Sequence, residues 1–530
     1  MKIAKKKKYI LFILFSCLLV FFGGIREIIW SNNAVSCKNY VGILMVFMIA
    51  NILLMSTVLI CENVKLSWVA FGFILLWGMI VGMAMPPGIV PDEPRHFFAA
   101  YELSNRILGT SQYDIIDEVT GGHTLMMRRG DIWSETEVSD WQVSISIEEY
   151  SAISGARFVF DDPVDLELVE ETRYSIATSK LYKYIPSSMG ICLARLLHLG
   201  RIPLLYIGRF FNLLFFATCV WWGIKQLDKG KYALFCIGTM PLVLCLASSY
   251  SYDAISNGLS VIFLSTIFSM YENSEKITVK NVLIMLLSYF LLLPYKEIYV
   301  VFGVLIFSFF IIQRKKMMTK WQIINEKFDK KHKILFLLLI GILVCLFLYR
   351  EVPQMIHYCR VYLNGNRISH TGVEVNYYGL GDFIKTPRKI FYLIFDSIQY
   401  YLTSIIQGSY SFPWVGISSI TYWGLFFCCI IVIMRSFADG YSLIIKKVSI
   451  FVFILMLACA LLGCMLDMTT NDKTTIYGFQ SRYVQPGITM LLIAFGTNEE
   501  FNGRLKKIFC AQNLFLIIAI LYLLRKVIDI

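Results

Sequence analysis

Apolar runs recur along the whole 530-residue chain, separated by short polar loops and two long ones. The runs lie near Tyr9–Phe22, Val41–Cys61, Leu66–Met85, Ile202–Ile224, Tyr232–Ala247, Ala254–Tyr271, Val282–Leu293, Ile298–Ile312, Ile334–Tyr349, Tyr422–Met434, Val448–Met465, Val484–Phe495 and Ile508–Leu524, about thirteen in all. Several fall short of the ~20 residues needed to cross a bilayer core, so their ends are set only to within several residues. The pattern divides the chain into N-terminal helices (1–85), a long polar region (86–201), a central bundle (202–350), a second polar region (351–421) and C-terminal helices (422–530). The second polar region carries the turn signal Asn364-Gly365-Asn366. It also holds an amphipathic stretch near Ile390–Ile406, expected at the membrane interface or packed in the protein.

Composition agrees with this reading. Hydrophobic residues make up 57% of the chain and charged residues 16%. A soluble domain of that balance would expose too much apolar surface, so the expected fold class is an all-α polytopic membrane protein. The first run follows Lys5-Lys6-Lys7-Lys8 and lacks a small-residue cleavage site, which marks it as a retained helix. The 14 cysteines lie mainly inside apolar runs without paired spacing and read as small buried residues.

The net charge of +12 does not indicate a nucleic-acid partner, because its location is ordered. If the lysine-rich N-terminus is cytoplasmic, alternate loops should be basic. They are: Lys225, Lys229 and Lys231; Lys276 and Lys280; Arg314 to Lys333; Lys446 and Lys447; Arg504, Lys506 and Lys507. The opposite loops are acidic, with about fifteen carboxylates between Asp114 and Glu171. Most of these acids read as solvated loop surface.

The candidate chemistry lies on the acidic, outer side. After the third run comes Pro86-Pro87-Gly88-Ile89-Val90-Pro91-Asp92-Glu93-Pro94-Arg95-His96-Phe97. Pro94 suits the first position of a helix and Gly109 the residue after it, with Phe97, Tyr101 and Leu108 on one face. Asp92 and Glu93 then stand at the helix N-terminus, where the dipole favours ionised carboxylates. A general base and a pair of capping residues are both open readings. Arg209 lies about two turns inside the fourth run and needs a partner or a wet cavity. Asp253 could pair with it, and a structural pair and ligand contact both stay open. Lys296 reads as a shallow re-entrant corner facing outward, or as a snorkelling side chain. Gln480-Ser481-Arg482-Tyr483 opens a late span, where Arg482 and Tyr483 suit either an interfacial anchor or ligand binding.

The ordered motifs resemble a bacterial family. They are Pro91 to Phe97, Tyr184 with Pro186, Gly208-Arg209 with Asn212, Ser251 to Ala254, Lys296 with Tyr299, and Gln480 to Pro486. The set is similar to the predicted membrane proteins labelled domain of unknown function 2142, grouped with the GT-C glycosyltransferases, and covers roughly Pro86 to Thr497. Ser481 stands where a glycine is usual, and two extra spans precede the acidic loop.

The resemblance implies a GT-C-like bundle of about 13 transmembrane helices with two larger extracytoplasmic loop regions. It implies a polyprenyl-phosphate-linked sugar donor and a glycan or lipid-linked acceptor, used at the outer face of the cell membrane. Asp92 would be the base, with Glu93 beside it or in exchanged roles. His96 would orient the acceptor or Asp92, and Arg209, Asp253, Lys296, Gln480, Arg482 and Tyr483 would bind substrate. No cofactor is specified, and a divalent cation beside the carboxylates stays open. The rival reading is a transporter or flippase of lipid-linked glycans, which would spread its charges through the bilayer midplane, often in repeated halves. Sugar, acceptor, linkage and oligomeric state are not legible in the chain.

Overall fold

The structure, a computed structural model, describes residues 2–22, 38–61, 64–111, 115–117, 122–132, 147–177, 180–314, 360–363, 365–368, 374–413, 416–434, 440–496 and 503–528, with a few isolated positions between 338 and 356. The expected span Ile334–Tyr349 and nearly all of the basic stretch Arg314 to Lys333 lie outside the described residues.

Helices α1 (Lys2–Val20), α2 (Lys38–Ile60) and α3 (Leu66–Ala84) open the chain. The first polar region then contains α4 (Glu93–Leu108), β1 (Ile115–Asp117), β2 (Gly122–Arg128), α5 (Ile147–Gly155), β3 (Leu168–Ala177) and α6 (Ile185–Leu196). The central helices are α7 (Arg201–Gln226), α8 (Lys231–Gly238), α9 (Pro241–Ala247), α10 (Asp253–Glu272), α11 (Val279–Leu292) and α12 (Gly303–Ile312). β4 (Asn366–Ile368), β5 (Glu374–Asn376) and α13 (Pro387–Ser409) follow, then α14 (Ser419–Met434), α15 (Leu443–Met468), α16 (Gln485–Ala494) and α17 (Gly503–Ile528).

Two features go beyond the expected helical bundle. The polar regions are not all helical: β1, β2 and β3 form an antiparallel sheet in that order, with Arg128 opposite Leu168 and Leu125 opposite Glu171. β4 and β5 form a second, two-stranded ribbon. Among the described residues six helices are long and apolar enough to cross a membrane: Tyr40–Ile60, Leu66–Ala84, Arg201–Gln226, Asp253–Glu272, Leu443–Met468 and Gly503–Arg525. Shorter apolar helices take the places of several expected spans. The run Tyr232–Ala247 breaks into α8 and α9 because Met240, ahead of Pro241, is extended (φ −64°, ψ 140°), as a residue preceding proline prefers.

α7 is the central post, packing on α3, α6 and α10. In a bilayer, close approach of helices replaces water exclusion as the source of packing energy. Gly190 provides it between α6 and α7, since a Cβ there would lie 2.7 Å from the Ile207 carbonyl and 2.8 Å from the Gly208 Cα; Gly208 does the same against Tyr250, whose hydroxyl a Cβ would strike. A main core fills the bundle around Phe73, Trp77, Phe235, Phe263 and Phe302. A second core under the first polar region joins Phe97, Tyr101, Leu125, Ile191, Leu204 and Tyr250.

The described basic loops gather at one end. Lys276 pairs with Asp228 at 2.7 Å, and Lys229 with Glu272 at 2.7 Å. Lys506 donates to the Val58 and Cys61 carbonyls at the C-terminus of α2, where a cation suits the helix dipole. The starts of α4, α7, α10 and α16 and the end of α3 meet at the opposite end.

Candidate functional site

At that opposite end the chain leaves α3 through Pro86-Pro87-Gly88. Gly88 has φ +96°, a conformation that other residues rarely adopt. The turn aims the Gly88 N–H at Glu93 Oε2, 3.0 Å away. Asp92 is also left-handed (φ 61°, ψ 10°), which Asp and Asn tolerate better than most side chains. Its side chain makes no capping hydrogen bond, so capping does not explain it. α4 runs from Glu93 to Leu108 with Pro94 in its first turn and Gly109 as its left-handed stop, as its sequence predicts.

Glu93 and Arg209 form the post of the site. Arg209 donates to both Glu93 carboxylate oxygens, at 2.7 and 2.6 Å, a bidentate pair. Its remaining N–H groups reach the carbonyls of Gly82 (2.7 Å), Met85 (2.8 Å) and Pro86 (3.0 Å). All five guanidinium donors are therefore used. Glu93 also accepts the Tyr250 N–H at 3.1 Å. Three residues along α7, Asn212 donates to the Ser249 carbonyl at 2.8 Å. One face of α7 thus clamps the 82–93 turn and the 249–253 turn together. Arg209 does not pair with Asp253, and neither Arg209 nor Glu93 has free capacity for a ligand.

A second, open layer rests on this post. Arg482 Nη2 donates to Asp92 Oδ2 at 2.8 Å, and its Nη1 lies 3.7 Å from Asp253 Oδ2. Lys296 Nζ donates to Asp253 Oδ1 at 2.5 Å. Asp92 is 37% exposed, whereas Arg482 is 9% and Asp253 3% exposed. The Arg482 Nε is buried without a hydrogen-bond partner. Tyr483 covers the two cations, with Lys296 Nζ 5.0 Å and the Arg482 guanidinium 5.7 Å from its ring centre. Segments near positions 92, 253, 296 and 482 thus converge on one cluster. The chain belongs to the DUF2142 family of predicted membrane proteins. The family model matches residues 75–492, which include every segment of the cluster and exclude α1 and α2. No curated protein and no solved structure matches the chain.

An aromatic wall flanks the charged cluster. His96 Nδ1 and the Tyr184 hydroxyl are 2.9 Å apart, and both rings lie against Tyr252. Burial, reinforced by the positive charge of Arg482, lowers the His96 ring to about 4, so it is neutral at pH 7. Lys183 Nζ donates to the Tyr295 carbonyl at 3.1 Å and sits 4.8 Å from the Tyr252 ring centre. Burial, with Lys180 nearby, brings Lys183 down to about 8. Burial pushes the Asp92 carboxyl up, but the hydrogen bond and charge of Arg482 outweigh it and hold the group below the usual carboxylate range. Burial also lowers Lys296, against the opposing charge of Asp253.

The structure therefore brings Asp92, His96, Asp253, Lys296, Arg482 and Tyr483 together. Glu93, expected as a catalytic residue, and Arg209, expected to bind substrate, pair with each other behind them. Gln480 is half-buried and contributes its carbonyl, which accepts the Tyr483 N–H at 3.0 Å and closes the turn carrying Arg482. Tyr184, Tyr252 and Lys183 join the wall without having been singled out as site residues; their clustering as Tyr-Lys-Tyr and Tyr-Asp beside the motifs was the available signal. Among the described residues no group of three or more His, Cys, Asp and Glu side chains has the geometry of a metal site.

Proposed function

We propose that the protein is a GT-C-type glycosyltransferase. It moves a sugar from a polyprenyl-phosphate donor to a cell-surface glycan or lipid-linked acceptor on the outer side of the cell membrane. One observation carries this reading: a partly exposed carboxylate, Asp92, shares a cluster with two buried cations, one holding an unpaired N–H. A lipid phosphate supplies what the cations lack, and an acceptor hydroxyl supplies what the carboxylate lacks. The ordered motifs resemble a family grouped with the GT-C glycosyltransferases, which supports the same reading.

Arg482 and Lys296 receive the donor phosphate at the membrane surface. The new anion competes with Asp92 for Arg482, so donor binding loosens the ion pair and frees Asp92 beside the anomeric carbon. Asp92 takes the proton of the acceptor hydroxyl as its oxygen bonds to that carbon. The bond from the carbon to the phosphate oxygen breaks, and the polyprenyl phosphate leaves with the electron pair, stabilised by the cations. Configuration at the carbon inverts. Neutral His96, with Tyr184 and Tyr252, lines the side on which a sugar ring would stack. Glu93 and Arg209 hold the two turns in place and contact no substrate. Both aspartates already face cations, so no step is routed through a metal.

A transporter would distribute its charges through the bilayer midplane. This cluster instead sits where helices begin and end. The deciding experiment incubates the purified protein with candidate polyprenyl-phosphate sugars and an acceptor extract, and follows release of the lipid phosphate. Release that depends on Asp92 supports the reading. Absence of release with every sugar, together with protein-dependent movement of intact lipid-linked glycan across vesicles, replaces it with the transporter.

A further inference from the structure

A cavity of about 560 Å³ has Arg209 in its wall, while Asp92, Asp253, Lys296 and Arg482 do not line it. That volume is in the range of small-molecule pockets. Its walls are Ile43 and Phe47 of α2, Met79 of α3, and Ile207, Phe210 and Leu213 of α7. Residues from Ile153 to Phe158 close it over at the end of the bundle that carries the site. It exists because α2 packs chiefly on α1, α3 and α5, leaving a gap towards α7. The hydroxyls of Tyr40 and Tyr206, 2.5 Å apart, bridge that gap. Ile43 and Phe158 at the rim are exposed, so the gap opens sideways.

The chemistry of the lining selects the occupant. Arg209 is the charged residue on the wall, and all five of its donors are already used. The tyrosine hydroxyls satisfy one another, and Tyr40 also donates to the Met83 carbonyl. Water would find few partners here, and a dry void of this size forfeits dispersion contacts along its whole lining. The opening lies between two candidate membrane spans, α2 and α7, where bilayer hydrocarbon would border it.

We infer that the cavity holds one acyl chain of a bilayer phospholipid, resident in the leaflet on the site's side and bracing α2 against α7. The phosphate of such a lipid stays outside, since the wall offers no free cation. The polyprenyl chain of the proposed donor is a poorer occupant, because neither Arg482 nor Lys296, which would hold its phosphate, lines the cavity. The inference does not depend on the proposed transferase activity.

The test is native mass spectrometry of the full chain, extracted in mild detergent and washed to remove loosely held lipid. One phospholipid per chain should remain. Ile207→Trp and Ile43→Trp, which fill the cavity and its mouth, should reduce retention at least about tenfold. Leu287→Trp, on an exposed face of α11, should leave it unchanged. Ile43 is half exposed, so its variant accommodates the added bulk if Ile207→Trp does not fold. Equal retention in the filled variants overturns the inference. So does a wild-type chain that carries no phospholipid after the wash, or one whose retained lipid is an isoprenoid phosphate.

Discussion

Arg482 donates to Asp92 across 2.8 Å, joining residues 390 positions apart in the chain. The contact closes the cluster between the first polar region and the start of α16, so it needs most of the bundle to be in place. Arg482 also lies 3.7 Å from Asp253, so it faces both aspartates. An anion arriving at Arg482 therefore acts on Asp92 directly.

The first consequence concerns affinity. Arg482→Ala should weaken binding of a polyprenyl phosphate at least about tenfold, since a charge-assisted contact contributes roughly 1.5–3 kcal/mol. Lys447→Ala, an exposed cation at the basic end, should leave it unchanged. Binding is measured by titrating the lipid phosphate in detergent. Equal affinities in the two variants would return Arg482 to the role of an interfacial anchor.

The pH dependence follows from the same pair. The folded Asp92 carboxyl lies below its unfolded value, so its ion pair contributes stability above the usual carboxylate range and loses it as pH falls through the lowered folded value. As a base, Asp92 works above that lowered value. Replacing Arg482 by Gln removes the dominant lowering interactions and leaves burial, which raises the carboxyl. The acid limb of residual transfer activity should then move to higher pH, read from initial rates across acidic buffers. An unmoved limb detaches Asp92 from Arg482 in solution.

Behind the cluster, the Glu93–Arg209 pair is a stability device. Glu93→Ala leaves the Arg209 charge buried and unpaired, which should cost about 3–5 kcal/mol. Glu93→Ala combined with Arg209→Met should cost less than the sum of the single changes, because neither charge is then stranded. Thermal unfolding in detergent checks this. Full additivity would mean that the two side chains do not act as a pair.

How much of this was legible in the sequence differs by element. Pro94 and Gly109 mark both ends of α4, because helix starts and stops are set by local backbone chemistry. The segregation of basic loops was legible from loop charges alone. The partner of Arg209 was not: it depends on how Pro86-Pro87-Gly88 folds back, which places Glu93 under α7 and sends Asp253 to Lys296. The left-handed Asp92 was equally hidden, since nothing in Val-Pro-Asp-Glu-Pro compels it. β1 to β3 pair with shifts of register, and their sequences do not alternate cleanly between apolar and polar residues, so the hydrophobic pattern carried little trace of them.

Orientation can be checked chemically. Lys473 is exposed at the site's end of the bundle and Lys447 at the basic end. With the site facing outward, Lys473→Cys should react with an impermeant thiol reagent on intact cells, above the background of the unsubstituted chain, and Lys447→Cys should react only after permeabilisation. The reverse pattern would put the cluster in the cytoplasm and remove the argument for a lipid-linked donor.

Asp92→Asn separates chemistry from architecture at the residue on which the proposal turns. Asn tolerates a left-handed backbone as Asp does, and the Asp92 side chain caps nothing, so the variant should fold with little change in thermal stability. It keeps an oxygen for Arg482 but cannot take a proton at neutral pH. Transfer should therefore fall by roughly a hundredfold or more, while binding of the polyprenyl phosphate holds or tightens because a competing negative charge is gone. Rates of lipid-phosphate release and titrations of the lipid, made on the same preparation, read the two effects apart. Near wild-type transfer by a stable Asp92→Asn protein would move the search for a base to Asp253. That residue is almost fully buried between Lys296 and Arg482, and would need the cluster to open first.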